Sequence, residues 1–308
     1  VRKPDWLKTR LATGAGFDRV NAGLAGLGLH TVCSQARCPN LDECWNAGTA
    51  TFLVLGDTCT RRCRFCSVPT GNPQGALDPT EPERVAAAVA ELGINYAVVT
   101  SVDRDDLADL GAGAFAATVR AVKRQGVAVE VLTPDFGGRE DLIAGVVAAG
   151  PDVFGHNIET VERVTPRARD PRASYRASLG VLAAVKRLDP GVTTKSGLML
   201  GLGETDDEVE QALADLRSVE CDVVTIGQYL QPDRRCLPVE RYVPPGEFAR
   251  WQERAVALGF AHAFCGPLVR SSYRAAEVAG PDKSEAKGQE PNVKAADEQA
   301  KERRRARG

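Results

Sequence analysis

A chain of 308 residues, 43% of them hydrophobic, can bury a full core as one large domain or two smaller ones. Its formal net charge of -2 offers no basic face for nucleic acid, and no stretch reaches the roughly 18 to 20 apolar residues of a membrane span. The opening VRKPDWLKTR has no apolar signal core, so the expected compartment is the cytoplasm, where thiols stay reduced. Nine cysteines there point to metal or catalysis rather than disulfides.

Residues 1–50 show no alternation of element types and are expected to form an extension on the main domain. From residue 51 the chain alternates β-branched runs with helical periodicity, the pattern of βα units around a parallel sheet. The predicted strands are TFLVLGD (51–57), YAVVTSV (96–102), VAVEVLTPDF (127–136), VFGHNIE (153–159), TTKSGLMLGLG (193–203) and DVVTIGQYL (222–230). PERVAAAVAEL, GAFAATVRAVKRQ, REDLIAGVVAAG, SYRASLGVLAAVKRL and DDEVEQALADLRSV fall between them, and PGEFARWQERAVALG follows the last. Their Ala, Val and Leu recur at helical spacing, as in helices that cover a sheet. Six units imply an α/β fold, a partial TIM-type (βα)6 barrel over residues 51–277. Residues 278–308 have Val278 and Val293 as their only large aliphatics, too little to order a segment, and their RRRAR suits a solvated charge run.

Polar residues gather where the strands end: Asp57, Cys59, Ser101, Asp103, Asp135, Asn157, Glu159, Glu204 and Gln228. The carboxyl ends of parallel strands form one rim, so the site is expected there. Asp103, Asp105 and Asp106 read as a solvated acidic face, His156 as a packed or hydrogen-bonded ring, and His30 and His262 as unpromising ligands.

Six cysteines fall into two triplets. Cys59, Cys63 and Cys66 form Cys-x3-Cys-x2-Cys in the loop leaving the first predicted strand. Structural zinc generally takes four ligands in paired knuckles, whereas a [4Fe-4S] cube on three thiolates keeps one iron open for chemistry. Cys33, Cys38 and Cys44 form Cys-x4-Cys-x5-Cys, which on spacing alone suits either a cluster or a zinc site completed from afar, by His30 for example.

CTRRCRFC resembles the cluster loop of radical S-adenosylmethionine enzymes. With the earlier triplet directly before it, and with RKPDWLK, VTSVDRDDL, HNIETV, KSGLMLGLGET, TIGQYLQP and GPLVRSSYRA elsewhere, the chain resembles the lipoyl synthase family over nearly all of residues 1–277. That resemblance implies two [4Fe-4S] clusters and S-adenosylmethionine. One cluster, on Cys59, Cys63 and Cys66, makes a 5'-deoxyadenosyl radical. An auxiliary cluster on Cys33, Cys38, Cys44 and Ser272, with Ser271 the lesser candidate, gives up sulfur to C6 and C8 of an octanoyl-lysine. It further implies octanoylated lipoyl carrier domains (glycine cleavage H protein, 2-oxoacid dehydrogenase E2) as partners, an electron donor such as flavodoxin or ferredoxin, and a cluster-repair carrier.

Within this frame Thr100 and Ser101 are expected to bind the cofactor's amino end, Asn157 and Glu159 its ribose or carboxylate, and Lys195 its carboxylate. The GLGE turn with Glu204 lets backbone approach the adenosyl group. Arg270 is a candidate partner for a rim carboxylate. Departures from the family pattern are Cys236, where histidine is usual, and Cys265; both read as plain buried thiols. A biotin synthase-like inserter or a methylthiotransferase would share the second triplet but not the first together with RSSY, and a non-enzymatic iron-sulfur or zinc protein would close four-thiolate sites.

Overall fold

Every predicted β-branched run becomes a strand of one sheet in the computed structural model, which describes residues 3–8, 29–31 and 40–278. β2 (Thr49–Val54), β3 (Tyr96–Ser101), β4 (Ala128–Leu132), β5 (Val153–Gly155), β6 (Thr193–Leu200) and β7 (Val223–Gln228) lie side by side in chain order, all parallel. A seventh parallel strand, β8 (His262–Gly266), extends one edge, and a short antiparallel β1 (His30–Thr31) caps the other. β8 lacks the β-branched run of the other strands, since HAFCG contains no Val, Ile or Thr, and as an edge strand it is only half buried.

Among the described residues seven helices follow the extension helix α1 (Leu41–Asn46): α2 (Glu81–Leu92), α3 (Ala112–Lys123), α4 (Glu140–Val147), the single turn α5 (Thr165–Ala168), α6 (Tyr175–Leu188), α7 (Asp206–Ser218) and α8 (Pro245–Ala257). Their apolar stripes meet the outer face of the sheet. Phe115 and Val119 of α3 share a core with Val99, Val131 and Phe154, and Leu213 and Phe248 share another with Leu200, Val224 and Ile226. Leu41 and Trp45 of α1 join the first of these, so the extension packs into the core of the main domain. α7 begins with a full capping box, Thr205 and Glu208 each bonding the other's backbone N–H.

Alternation sends the other residue of each pair inward. That inner face carries Tyr96, Val98, Thr100, Glu130, Lys195, Gly197 and Gly227, and the chain beyond β8 turns back into it. Ala275 packs on Tyr96 and Val98; Val278 packs on Val153 and Val223 near the strands' amino ends. A Cβ on Gly227 would collide with the carbonyl oxygen of Val269, so this glycine makes room for the returning segment. The barrel is therefore filled from within by residues 269–278, one residue past the boundary at which a disordered tail was expected to start.

Candidate functional site

The loop after β2 is gripped from four sides. Leu55 and Gly56 take left-handed backbone (φ 70° and 86°) to turn the chain off the sheet. The loop then closes on itself, with Cys59 N–H donating to Pro69 O at 2.8 Å and Gly71 N–H to Cys59 O at 2.9 Å. Thr60 N–H bonds Asp103 O after β3 (3.0 Å), Arg64 N–H bonds Ala168 O after β5 (2.7 Å), and Leu237 N–H after β7 bonds Arg64 O (2.8 Å). The fourth grip is Arg61, turned inward and 5% exposed. Its guanidinium forks onto Asp135 (2.7 and 2.8 Å) after β4 and onto Asp105 (2.9 to 3.2 Å), with Asp103 at 3.3 Å. Burial opposes that charge, but the bonds from Asp135 and Asp105 outweigh it and raise the Arg61 pKa. Burial likewise opposes the Asp135 and Asp105 charges, and Arg61 overcomes it and lowers both.

The acidic run at 103–106 is thus not a solvated face. Asp103 and Asp105 hold Arg61, while Asp106 pairs with buried Arg104, whose bond lowers its carboxyl to about 2. Arg104 in turn donates to Leu55 O at the base of the cysteine loop (3.1 Å). Burial pushes Asp103 up to about 6 against the pull of Arg61, and its Oδ2 lies 3.8 Å from Cys59 Sγ.

Cys59, Cys63 and Cys66 are free thiols on this one loop, Cys66 exposed and the others half-buried. Cys59 Sγ accepts the peptide N–H of Arg61 and Cys63 Sγ that of Asp170, both at 3.4 Å. Burial raises all three pKa values, Cys63 to about 12 and Cys66 to about 11, with Cys59 and Glu159 adding to the rise at Cys66. Among the described residues no group of three His, Cys, Asp or Glu side chains is placed to hold a single metal ion. A cube that takes one thiolate on each of three irons spaces its ligands more widely than one ion does. A three-thiol loop whose sulfurs accept backbone hydrogen bonds fits such a cluster.

Around the loop stand residues of uneven promise. Asn157 Nδ2 donates to Ser271 Oγ at 2.8 Å and also bonds Glu159, which has left-handed backbone (φ 68°) and a pKa raised by burial. Thr100 faces the barrel interior and donates to Leu132 O (2.8 Å), leaving its oxygen lone pairs free to accept. Ser101 follows it on the outer face and bonds Val102 O (2.8 Å). Glu204 folds back on its own turn, accepting from Gly201 N–H (2.6 Å) and Leu202 N–H (2.9 Å). Lys195 is not at the rim. It is the third residue of an eight-residue strand, 2% exposed, and bonds both oxygens of Glu130 (2.9 and 3.0 Å), which also accepts from Tyr96 Oη (3.1 Å). This buried triad has no cation to offer the rim.

A cation beside the site that sequence reasoning missed is Arg169. Its Nη1 donates to Ser178 Oγ (2.7 Å), Ser178 bonds His156 Nε2 (2.9 Å), and His156 Nδ1 lies 2.9 Å from Thr133 O. His156 is thereby the packed, hydrogen-bonded ring expected. Arg169 Nε is buried with no partner among the described residues, and its charge partly offsets the rise that burial gives Cys63 and Glu159. The only textual signal is a cluster of arginines in RARDPR, without a mark to separate this one.

For the other triplet, Cys33 and Cys38 lie outside the described residues. Cys44 is half-buried on α1. The segment carrying RSSY comes to α1 through two bonds: Asn40 Nδ2 to Leu268 O (2.7 Å) and Tyr273 Oη to Glu43 Oε1 (3.3 Å). Ser271 is engaged by Asn157, whereas the Ser272 hydroxyl makes no hydrogen bond to a described residue. Cys236 is buried as expected, but beside the site, its thiol donating to Cys66 O at 3.4 Å. Cys265 is half-buried on the outer face of β8. Arg270 donates to Val269 O at 2.6 Å.

Comparison with known proteins gives this geometry a family. The Radical SAM superfamily model matches residues 53–216, and the model for the N-terminal domain of lipoyl synthase matches residues 1–38. The chain is 56% identical to lipoyl synthase of Pyrobaculum calidifontis over 89% of its length and 95% of the relative's. It is 54% identical to that of Thermus thermophilus over 90% of its length and 86% of the relative's. Among solved structures, methylornithine synthase (PylB) shares the fold at TM-score 0.50 and 14% identity, over 81% of this chain and 85% of that one. An α/β barrel with a three-cysteine loop on its rim, matched at these identities along most of its length, belongs to the lipoyl synthase family of radical SAM enzymes.

Proposed function

We infer that the chain inserts two sulfur atoms, at C6 and C8, into an octanoyl chain carried as an amide on a lysine of a lipoyl carrier domain. The observation that carries this is the convergence, at one rim, of the three-thiol loop with the RSSY segment bonded to the Cys44 helix. When bound, a [4Fe-4S] cluster with S-adenosylmethionine supplies radical chemistry at unactivated carbons, and an auxiliary [4Fe-4S] cluster supplies sulfide.

The chain's own residues prepare that chemistry. Cys59, Cys63 and Cys66 would hold the first cluster as thiolates, each giving up its proton on binding iron. Arg169 offers the cofactor's carboxylate a positive charge and a buried N–H with no partner among the described residues, the role the sequence had suggested for Lys195. Thr100 accepts from the amino group, and Asn157 with Glu159 takes the ribose hydroxyls. Ser101 bonds Val102 O on the outer face of β3, and Glu204 would shape the GLGE turn for the adenosyl group. Ser272, with no competing bond among the described residues, completes the auxiliary set with Cys33, Cys38 and Cys44; a hard oxygen among thiolates is the ligand most easily released.

Residues 1–50 then serve as carrier of auxiliary ligands and 51–277 as the barrel, which the buried Val278 extends by one residue into the segment expected as a tail. The carriers we expect are the glycine cleavage H protein and 2-oxoacid dehydrogenase E2, the donor a flavodoxin or ferredoxin, and a further carrier rebuilds the spent cluster. No helix among the described residues is long and apolar enough to cross a membrane, and we place the reaction in the cytoplasm.

The test is anaerobic iron and sulfide analysis with one turnover on an octanoyl-lysine peptide, product read by mass. Two four-iron clusters, two sulfurs added and auxiliary sulfide lost are expected. Deoxyadenosine without sulfur in the peptide would overturn the substrate; zinc, or one cluster, would overturn the auxiliary site.

A further inference from the structure

Around the cysteine loop most surface cations are already paired: Arg167 with Glu240, Arg172 with Asp105 and Asp170, Arg235 with Asp233. Arg62, Arg64 and Arg234 are exceptions. All three are exposed, and none makes an ion pair or side-chain hydrogen bond with a described residue. They also lie on two segments that are bonded to each other. Arg62 and Arg64 flank Cys63, and Arg234 lies on the segment after β7 that is bonded to the loop through Leu237 N–H to Arg64 O and Cys236 Sγ to Cys66 O. In a chain of net charge -2 this is a local excess of uncompensated positive charge. Cys66, the most exposed residue of the triplet, belongs to the same loop.

Each uncompensated arginine costs no desolvation and no ordering while it waits, and a set of them attracts a partner of opposite sign and steers its approach. We propose that Arg62, Arg64 and Arg234 form the docking surface for a small acidic one-electron carrier protein. This rests on the function proposed above, which requires an electron at the 59/63/66 cluster. One electron leaves the reduced carrier, which is oxidised, and reduces that cluster; no atom is exchanged. The octanoyl carrier is the less suited occupant, because its acyl chain must reach the barrel mouth where Asn157 and Ser271 meet, whereas an electron carrier needs only the shortest path to the ligand nearest solvent.

The experiment uses the anaerobic holoenzyme and two acidic probes, a flavodoxin and a ferredoxin, with Kd measured between low and physiological salt. Wild type should bind at least one, with affinity falling as salt rises. Arg62→Glu/Arg64→Glu/Arg234→Glu should weaken that binding by about 10- to 100-fold and flatten its salt dependence. Arg234→Glu alone, remote in sequence from the cysteines, should weaken it by up to about tenfold. Iron content and deoxyadenosine release driven by dithionite should match wild type in Arg234→Glu, while release driven by the carrier protein falls in both. Unchanged Kd in the triple variant, binding of neither probe by wild type, or loss of octanoyl-carrier binding in place of donor binding would each overturn the assignment. A wild-type enzyme that makes no deoxyadenosine even with dithionite would instead refute the proposed function, independently of the binding result.

Discussion

In CTRRCRFC neighbouring arginines have opposite fates. Arg61 is buried among Asp103, Asp105 and Asp135, while Arg62 and Arg64 face solvent. Removing Arg61 leaves carboxylates from two strand ends facing each other without a cation, so Arg61→Ala should cost about 3 to 5 kcal/mol and most of the bound iron. Arg61→Lys should rescue little, since an ammonium cannot fork onto two carboxylates at once. Full iron content in Arg61→Ala, by metal analysis, would refute this. His156 makes a pH-dependent contribution of known sign. Burial holds it neutral, with its pKa pushed down from 6.5 to about 4, so the unfolded chain binds the extra proton first. Stability from this residue is complete above about pH 6.5 and declines as pH falls towards 4, by roughly 3 kcal/mol in all. Urea titrations at pH 7 and pH 5 should show a smaller acid loss in His156→Gln than in wild type.

Strand β6 shows how depth along an element decides a residue's work. Lys195 and Gly197 share the inner face, but Lys195 is low in the barrel, bonded to Glu130, and Gly197 packs beneath the rim, where a Cβ would meet Asn157 Oδ1 at 3.0 Å. Lys195→Met should destabilise the fold by about 3 to 5 kcal/mol, because Glu130 is left buried and unpaired. S-adenosylmethionine affinity of the folded fraction should not change, while Arg169→Gln should weaken it about tenfold or more, as expected for loss of a charged hydrogen bond. Equal losses in the two variants would refute that division. β7 carries the complementary prediction. Gly227→Ala should push Val269 O away, cost about 1 to 3 kcal/mol and lower auxiliary-cluster iron, whereas Gly180→Ala on α6, with open space at its Cβ, should stabilise by about 0.5 to 1 kcal/mol. The same contrast explains what the sequence discloses. Alternation reveals strand and face, and cysteine spacing reveals the loop, because both are local. Depth is not local, so Lys195 looked like a rim cation. Nor is the partner of a charge: the acids at 103–106 looked solvated because Arg61, which binds two of them, lies more than forty residues earlier.

At the scale of the molecule, the inward return of the chain after β8 joins the extension, the barrel and the serine segment into one unit. Asn40 and Glu43 hold the segment from the α1 side, Asn157 from the rim, and Ala275 and Val278 anchor its far end among Tyr96, Val98, Val153 and Val223. Ser272 sits between these anchors, so its position depends on apolar contacts made several residues later. Two truncations separate that anchor from the residues beyond it. A chain ending after Arg274 loses Ala275 and Val278, which are 0% and 7% exposed, and with them about 2 to 4 kcal/mol of burial. It should bind the 59/63/66 cluster but lose auxiliary iron and sulfur insertion. A chain ending after Pro281 keeps both residues and should match the full chain in iron content and in deoxyadenosine formed per turnover. If the shorter chain retained two clusters, the interior anchor would be irrelevant to Ser272; if the longer one lost a cluster, residues beyond the barrel would have to take part in holding it.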